Sequence, residues 1–144
     1  MFLALVMFFT GKEAPRQAQI TAAIQADSSA TSFLAYGKAV RGYLNDHPTA
    51  SGSVDDAALA AYFLPGYIRD DRWTNLVEGT SLYVFATDAT EKGTVVRLFE
   101  LSQRSVLVGA KNQVTGRLIS ANGFDTGIDL PAAIPNNAAV MMGR

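Results

Sequence analysis

ITAAIQADSSATSFLAYGKAVRGYL, residues 20–44, repeats its apolar residues at intervals of three and four positions. Side chains at that spacing share one face of an α-helix, so the stretch predicts an amphipathic helix. Because the pattern changes register midway, a break or kink is predicted near Asp27-Ser28-Ser29. The repeating positions are Ile20, Ala23, Ile24, Asp27, Thr31 and Leu34, then Phe33, Tyr36, Val40, Tyr43 and Leu44.

Prolines and polar residues predict where the helices begin and end. Pro15 suits a first helical turn, and Pro48 ends the helix because the residue before a proline avoids helical angles. Ser53-Val54-Asp55-Asp56 has the spacing of a capping box with Ser53 as N-cap. A second, short helix is therefore predicted from Ala57 to Phe63 or Leu64, ending at Pro65-Gly66.

From Trp73 onward the sequence has the composition of β-strands. Asn112-Gln113 reads as a tight hairpin turn, while Pro131 and Pro135 confine the tail to a sheet edge or a loop. The predicted strands are 81–86, 94–101, 105–111, 114–120 and 138–142.

Helices followed by strands predict an α+β fold with one domain over residues 12–144. We expect N-terminal amphipathic helices on one face of an antiparallel sheet of about four or five strands. This is the gross plan of a pilin globular domain, an analogy of architecture that does not by itself indicate function.

An apolar segment, residues 1–11, precedes this domain and begins MFLALVMFF. A spanning helix needs ~20 apolar residues. The run also lacks the basic start of a signal peptide. Gly11 and Glu13 follow the run, which is the wrong order for a type IV prepilin.

Two interpretations of residues 1–11 stay open: the end of a membrane anchor, which we favour, or a helix or strand that packs into the core or a partner. Lys12 and Arg16 lie on the side expected outside the cytoplasm, against the positive-inside rule.

Composition excludes several classes of protein. The 144 residues carry a net charge of −1, only 17% are charged, and 49% are hydrophobic. This balance gives no electrostatic footprint for nucleic acid. The absence of cysteine excludes thiol catalysis, disulfides and cysteine-based metal sites.

Four groups of residues invite a chemical interpretation, and each has a simpler structural one. His47 is the only histidine and lies in a loop. The charged cluster Arg69-Asp70-Asp71-Arg72 lacks metal-loop spacing and fits a solvated turn with local ion pairs. Gly109–Gly116 lacks the GK[ST] ending of a phosphate-binding loop and fits a hairpin. Large aromatic residues more often fill a core than line a ligand groove; here they are Trp73 and the tyrosines at 43, 62, 67 and 83.

Three stretches together with the apolar N-terminus resemble a known family. They are LAAYFLPGY at residues 59–67, the hairpin VGAK…GRLIS at residues 108–120, and DLPAAIPNN at residues 129–137. They are similar to the small PilM proteins of type IVb thin-pilus operons on enterobacterial conjugative plasmids. An actin-like, nucleotide-binding pilus protein of the same name is a different family.

The resemblance implies a non-enzymatic accessory factor of pilus biogenesis that supports conjugation. It implies inner-membrane localisation with a periplasmic domain and other pilus-assembly proteins as partners, and it provides no catalytic residue to transfer. From the residues themselves we expect no cofactor, metal, nucleotide or nucleic acid. Self-association is a further expectation from the small residues Ala18, Ala22, Ala26, Ser29 and Ala30, and strand addition from edges at the tail. The alternatives are a minor pilin-like subunit of the fibre and a periplasmic module that binds small ligands or cell wall.

Overall fold

One long helix packs against an antiparallel sheet of six strands. The structure is a computed structural model and describes residues 2–143, with side chains described from Ile20 onward. In chain order the elements are α1 Phe2–Asp46, α2 Asp56–Leu59, β1 Trp73–Glu78, β2 Ser81–Ala86, α3 Lys92–Leu101, β3 Val108–Lys111, β4 Arg117–Ser120, β5 Asp125–Asp129 and β6 Ala139–Met142. The predicted α+β class is confirmed, with six strands rather than four or five.

The C-terminal part of α1 enters the core, and the preceding turns do not. Ala30, Phe33, Tyr36 and Val40 are buried at helical spacing. Residues 20–25, which we call the stem, are exposed throughout. The predicted break at residues 27–29 is wrong, because α1 is one continuous helix there. Ile20, Ala23 and Ile24 are exposed to solvent. The first half of the apolar pattern therefore packs on nothing in the described domain, and the helix needs no break to bury the second half.

The start of α1 also differs from the prediction, since the helix begins at Phe2 rather than near Pro15. The prediction that residues 1–11 form part of an anchor or a core segment concerns side chains outside the described residues. Within the described part of the chain, no helix is both long and apolar enough to cross a bilayer.

The last strand lies in the middle of the sheet, whose order is β1-β2-β6-β3-β4-β5. Val84 of β2 pairs with Met141 of β6, which pairs in turn with Val108 of β3. Pro131 and Pro135 lie in a loop, which agrees with the prediction for them, but the expected exposed strand edge at the tail is wrong because β6 is paired on both sides. Pro131 and Pro135 precede it, so β6 keeps all its ladder N–H groups.

Residues 94–101, predicted as a strand, lie in helix α3. Its buried residues are Thr94, Val95 and Leu98, which form a helical stripe. Packing of this stripe overrides the β-propensity of its branched residues. Arg97 Nε also pairs with Asp27 Oδ1 at 2.7 Å, which links α3 to α1.

Two turns differ from the sequence prediction in detail. The N-cap of α2 is Asp55, whose Oδ1 accepts from the Ala58 N–H at 2.8 Å, and not Ser53. The β3–β4 turn is longer than two residues. Asn112 Oδ1 accepts from the N–H groups of Val114 and Thr115. The turn therefore extends from Asn112 to Gly116, and β4 begins at Arg117 rather than at Val114.

Candidate functional site

His47 lies at the C-terminal end of α1. Its imidazole stacks on the Tyr43 ring with centroids 4.1 Å apart, and Nδ1 lies 3.0 Å from the Tyr43 carbonyl oxygen. These contacts with the last turn make His47 part of the helix end.

The charged cluster at residues 69–72 holds its own loop in place. Arg72 Nη2 donates to Asp70 Oδ2 at 2.6 Å, and the hydrogen bonds from Arg72 lower the pKa of the Asp70 carboxyl. Arg69 Nε pairs with Asp56 Oδ1 at 2.9 Å, and its guanidinium lies 4.4 Å from the Tyr36 ring centroid. Both arginines are thus engaged within the fold. Among the described residues, no group of three or more His, Asp or Glu side chains could hold a metal ion.

The five aromatic side chains singled out from the sequence do not line one groove. Trp73 and Tyr83 are buried, and the Trp73 indole N–H donates to Ser32 Oγ at 3.1 Å. Tyr43 and Tyr62 form an edge-to-face pair with centroids 5.7 Å apart. Tyr62 Oη donates to Asp46 Oδ2 at 2.6 Å, and this bond raises the pKa of Tyr62. Tyr67 packs instead on Phe63.

Residues Gly109–Gly116 form the turn and first strand of the β3–β4 hairpin. Lys111, within this segment, is buried and donates from Nζ to the carbonyl oxygens of Pro131 and Ile134 at 3.2 and 2.9 Å. The lysine thereby ties the proline-containing loop to the sheet.

Two grooves lie beside α1. The first, of about 660 Å³, is lined by residues near the end of β2 together with Ser28, Ser29 and Arg72. Its arginine is already engaged, since Arg72 pairs with Asp70 and donates to Ser29 Oγ at 3.2 Å.

The second groove, of about 690 Å³, has a different chemical character. We call it the cationic groove. Its α1 wall includes Lys38 and Arg41, its opposite wall is the segment that follows α3, and none of its described lining residues is acidic. The groove is defined by Leu34, Lys38, Arg41, residues 101–103, Ser105, Met141 and Met142.

A tight turn after α3 builds the far wall of the cationic groove. Gln103 and Arg104 adopt left-handed backbone angles, with φ of 62° and 60°. The Arg104 N–H donates to the Phe99 carbonyl at 2.9 Å, and Ser102 Oγ donates to the same oxygen at 2.8 Å. These bonds provide donors for the Phe99 carbonyl near the C-terminal end of α3 and hold the turn against that helix end.

Comparison with known proteins identifies the fold. The family model named PilM matches residues 1–142. A crystal structure assigned the name PilM, from Escherichia coli B7A, shares 28% identity with a TM-score of 0.64. The alignment covers 87% of this chain and 94% of that chain. No curated protein matches significantly. With a family match over almost its whole length, the chain belongs to the PilM family, and this membership supports a role in pilus biogenesis.

Proposed function

We propose that this protein is a non-enzymatic accessory factor of thin-pilus biogenesis that supports bacterial conjugation. It is tethered to the inner membrane through its N-terminal segment, with the globular domain in the periplasm. There the domain docks onto other components of the pilus machine. The PilM family match over residues 1–142 carries the proposal.

The shape of α1 supports the tethering part of the proposal. The helix has 45 residues and is therefore roughly 70 Å long at 1.5 Å per residue. Among the side chains described from Ile20 onward, full burial begins at Ala30, and the stem at residues 20–25 is exposed. Such a helix can hold a globular domain at a distance from whatever binds its N-terminal end.

The environments of the candidate catalytic groups support a docking role rather than chemistry. His47 packs on a helix end, and Asp70 is engaged by Arg72. General acid–base catalysis needs a positioned side chain that is free to exchange a proton with a substrate.

Fractionation of cells that make the pilus tests the location. We expect the native, full-length gene product to stay with the inner membrane through a carbonate wash. Protease added to spheroplasts should cut its globular domain. A protein found in the soluble fraction, or shielded from the protease, would contradict the proposed topology.

A minor pilin-like subunit is the second candidate. The continuous long helix followed by a sheet favours it, because that is the gross plan of a pilin. Immunoblots of sheared, purified pili separate the two candidates. An accessory factor stays with the cells, whereas a fibre subunit is recovered with the pili.

A further inference from the structure

We propose that the cationic groove binds an acidic segment of a partner protein. The carboxylates of that segment would lie against Lys38 and Arg41, and an apolar side chain would enter the groove between them and β6. This inference rests on the proposed docking function and names the surface and the chemistry of the partner.

The positive charge in the groove has no counter-ion among the side chains that the structure describes, residues 20–143. Among those described residues the Lys38 side chain makes no ion pair or hydrogen bond, and the Arg41 side chain donates only from Nη2 to Met141 Sδ at 3.3 Å. Thioether sulfur is a weak acceptor, so the guanidinium keeps most of its capacity to bind a carboxylate. Glu100, which directly precedes the far wall in the sequence, is engaged by Arg97 Nη1 at 3.1 Å.

The spacing of the two cations suits a peptide. Lys38 and Arg41 are three residues apart on α1, so their Cβ atoms are ~5–6 Å apart on one helix face. Two carboxylates on one face of a short segment can reach both. A guanidinium also accepts a carboxylate through two parallel hydrogen bonds, which gives orientation as well as attraction.

The apolar part of the groove favours a protein segment over a free anion. Leu34 and Met142 line the groove and are partly buried, and Leu101 is 36% exposed on the far wall. Methionine is unbranched and adapts to different partners. A site of about 690 Å³ that combines apolar walls with a few charges can hold several side chains.

Photo-crosslinking in pilus-producing cells tests the inference with the full chain. A photoreactive residue replaces Gln103, which is exposed on the far wall. We expect a cross-linked segment, identified by mass spectrometry, that contains at least two Asp or Glu residues. Its yield should fall about tenfold with Lys38→Glu or Arg41→Glu, because a repulsive charge replaces an attractive one.

Lys92→Glu is the matched control. Lys92 is also an exposed lysine without an ion pair in the described chain, and it lies outside the groove. The control should leave the yield unchanged, and circular dichroism should show that all three variants fold. The inference is overturned by no cross-link, by a cross-linked segment without acidic residues, or by equal loss in the control.

Binding to anionic lipid is the competing occupant. Wild-type protein and the Lys38→Glu variant are mixed with phosphatidylglycerol vesicles and sedimented. We expect no difference between them. Vesicle binding that depends on Lys38 would replace the peptide proposal by a membrane contact.

Failure of the inference differs from failure of the proposed function. If deletion of the gene leaves pilus yield unchanged, the proposed function falls. If deletion abolishes pili but the Lys38→Glu protein restores them and cross-links normally, only the groove assignment falls.

Discussion

At the scale of single residues, Asn75 connects the loop before α2 to the core. Its Nδ2 donates to Tyr36 Oη at 2.7 Å and to the Val54 carbonyl at 2.9 Å, and its Oδ1 accepts from the Val54 N–H at 2.8 Å. The side chain is only 2% exposed. Water therefore cannot easily replace these bonds.

We predict that Asn75→Ala lowers the free energy of unfolding by about 2–4 kcal/mol, because buried polar groups lose their partners. Urea denaturation followed by circular dichroism measures the change. Asn136→Ala, at an exposed asparagine, is the control and should stay within about 0.5 kcal/mol of the wild type. A similar, small effect of both substitutions would show that the Asn75 hydrogen bonds contribute little.

Asp70 makes stability depend on acidity. Hydrogen bonds from Arg72 lower its pKa in the folded state below the ordinary value of 3.8. The resulting stabilisation is present above that ordinary value and is lost as pH falls through the lower folded-state pKa. Because the Arg72 side chain is 57% exposed, the contribution is below about 1 kcal/mol.

Asp70→Asn should therefore lose less stability than the wild type when pH is lowered from about 6 to about 2.5, since the variant has no carboxyl to protonate there. Urea midpoints at both pH values measure the difference. Asp71→Asn, at an exposed neighbour, serves as the comparison. Equal acid sensitivity of the Asp70 variant and the wild type would contradict the assignment.

At the scale of elements, Gly109 allows β3 and β4 to approach closely. A Cβ at this position would collide with the backbone carbonyl of Ile119. Backbone atoms in a paired strand cannot move aside as a flexible side chain can.

Gly109→Ala is predicted to destabilise the protein by more than about 3 kcal/mol or to prevent folding, as overpacking of a rigid site does. Gly93→Ala is the matched control in α3, where an added Cβ would meet only Ala26 Cβ at 3.8 Å. That control should stabilise by up to about 1 kcal/mol, because alanine favours a helix. Thermal unfolding followed by circular dichroism compares them. A folded Gly109→Ala protein with an unchanged melting temperature would show that the strands can separate.

The sequence predicted the elements whose patterns are local. The spacing through Phe33, Tyr36 and Val40 predicted the buried part of α1, and the run at residues 81–86 predicted β2. The prediction of a strand at residues 94–101 is wrong because their β-branched residues favour a strand, whereas the buried stripe at helical spacing determines the structure. β5 was missed because Asp125-Thr126-Gly127-Ile128-Asp129 has little β-propensity.

The cationic groove could not be predicted from the sequence. Lys38 comes from α1, Gln103 from the turn after α3, and Met141 from the last strand. Their proximity depends on the insertion of β6 between β2 and β3, which is a pairing between distant segments. No local pattern specifies that order. The sequence predicts Lys111 only as the end of a strand, and no local pattern indicates that its ammonium group is buried against the tail loop.

At the scale of the whole molecule, only part of helix α1 packs into the core of the globular domain, and that part begins at Ala30 among the described side chains. Phe33 is fully buried and packs edge-to-face on Trp73 at 5.0 Å between ring centroids, whereas Ile24 is 63% exposed on the stem. Domain stability should therefore depend on one part of α1 and be independent of the other.

Phe33→Ala should lower the free energy of unfolding by about 3–5 kcal/mol, because it leaves a cavity in the core. Ile24→Ala should change it by less than about 0.5 kcal/mol. Chemical denaturation of both variants tests this division. A large loss from Ile24→Ala would mean that the stem folds against the domain.

Pilus yield is the most direct test of the role in biogenesis. The gene is deleted in cells that make the thin pilus, and assembled pili are quantified by shearing and immunoblotting for the major pilin. We predict that pili disappear while the pilin remains in the cells, and that the intact gene restores them. Undiminished pili in the deletion strain would contradict the account.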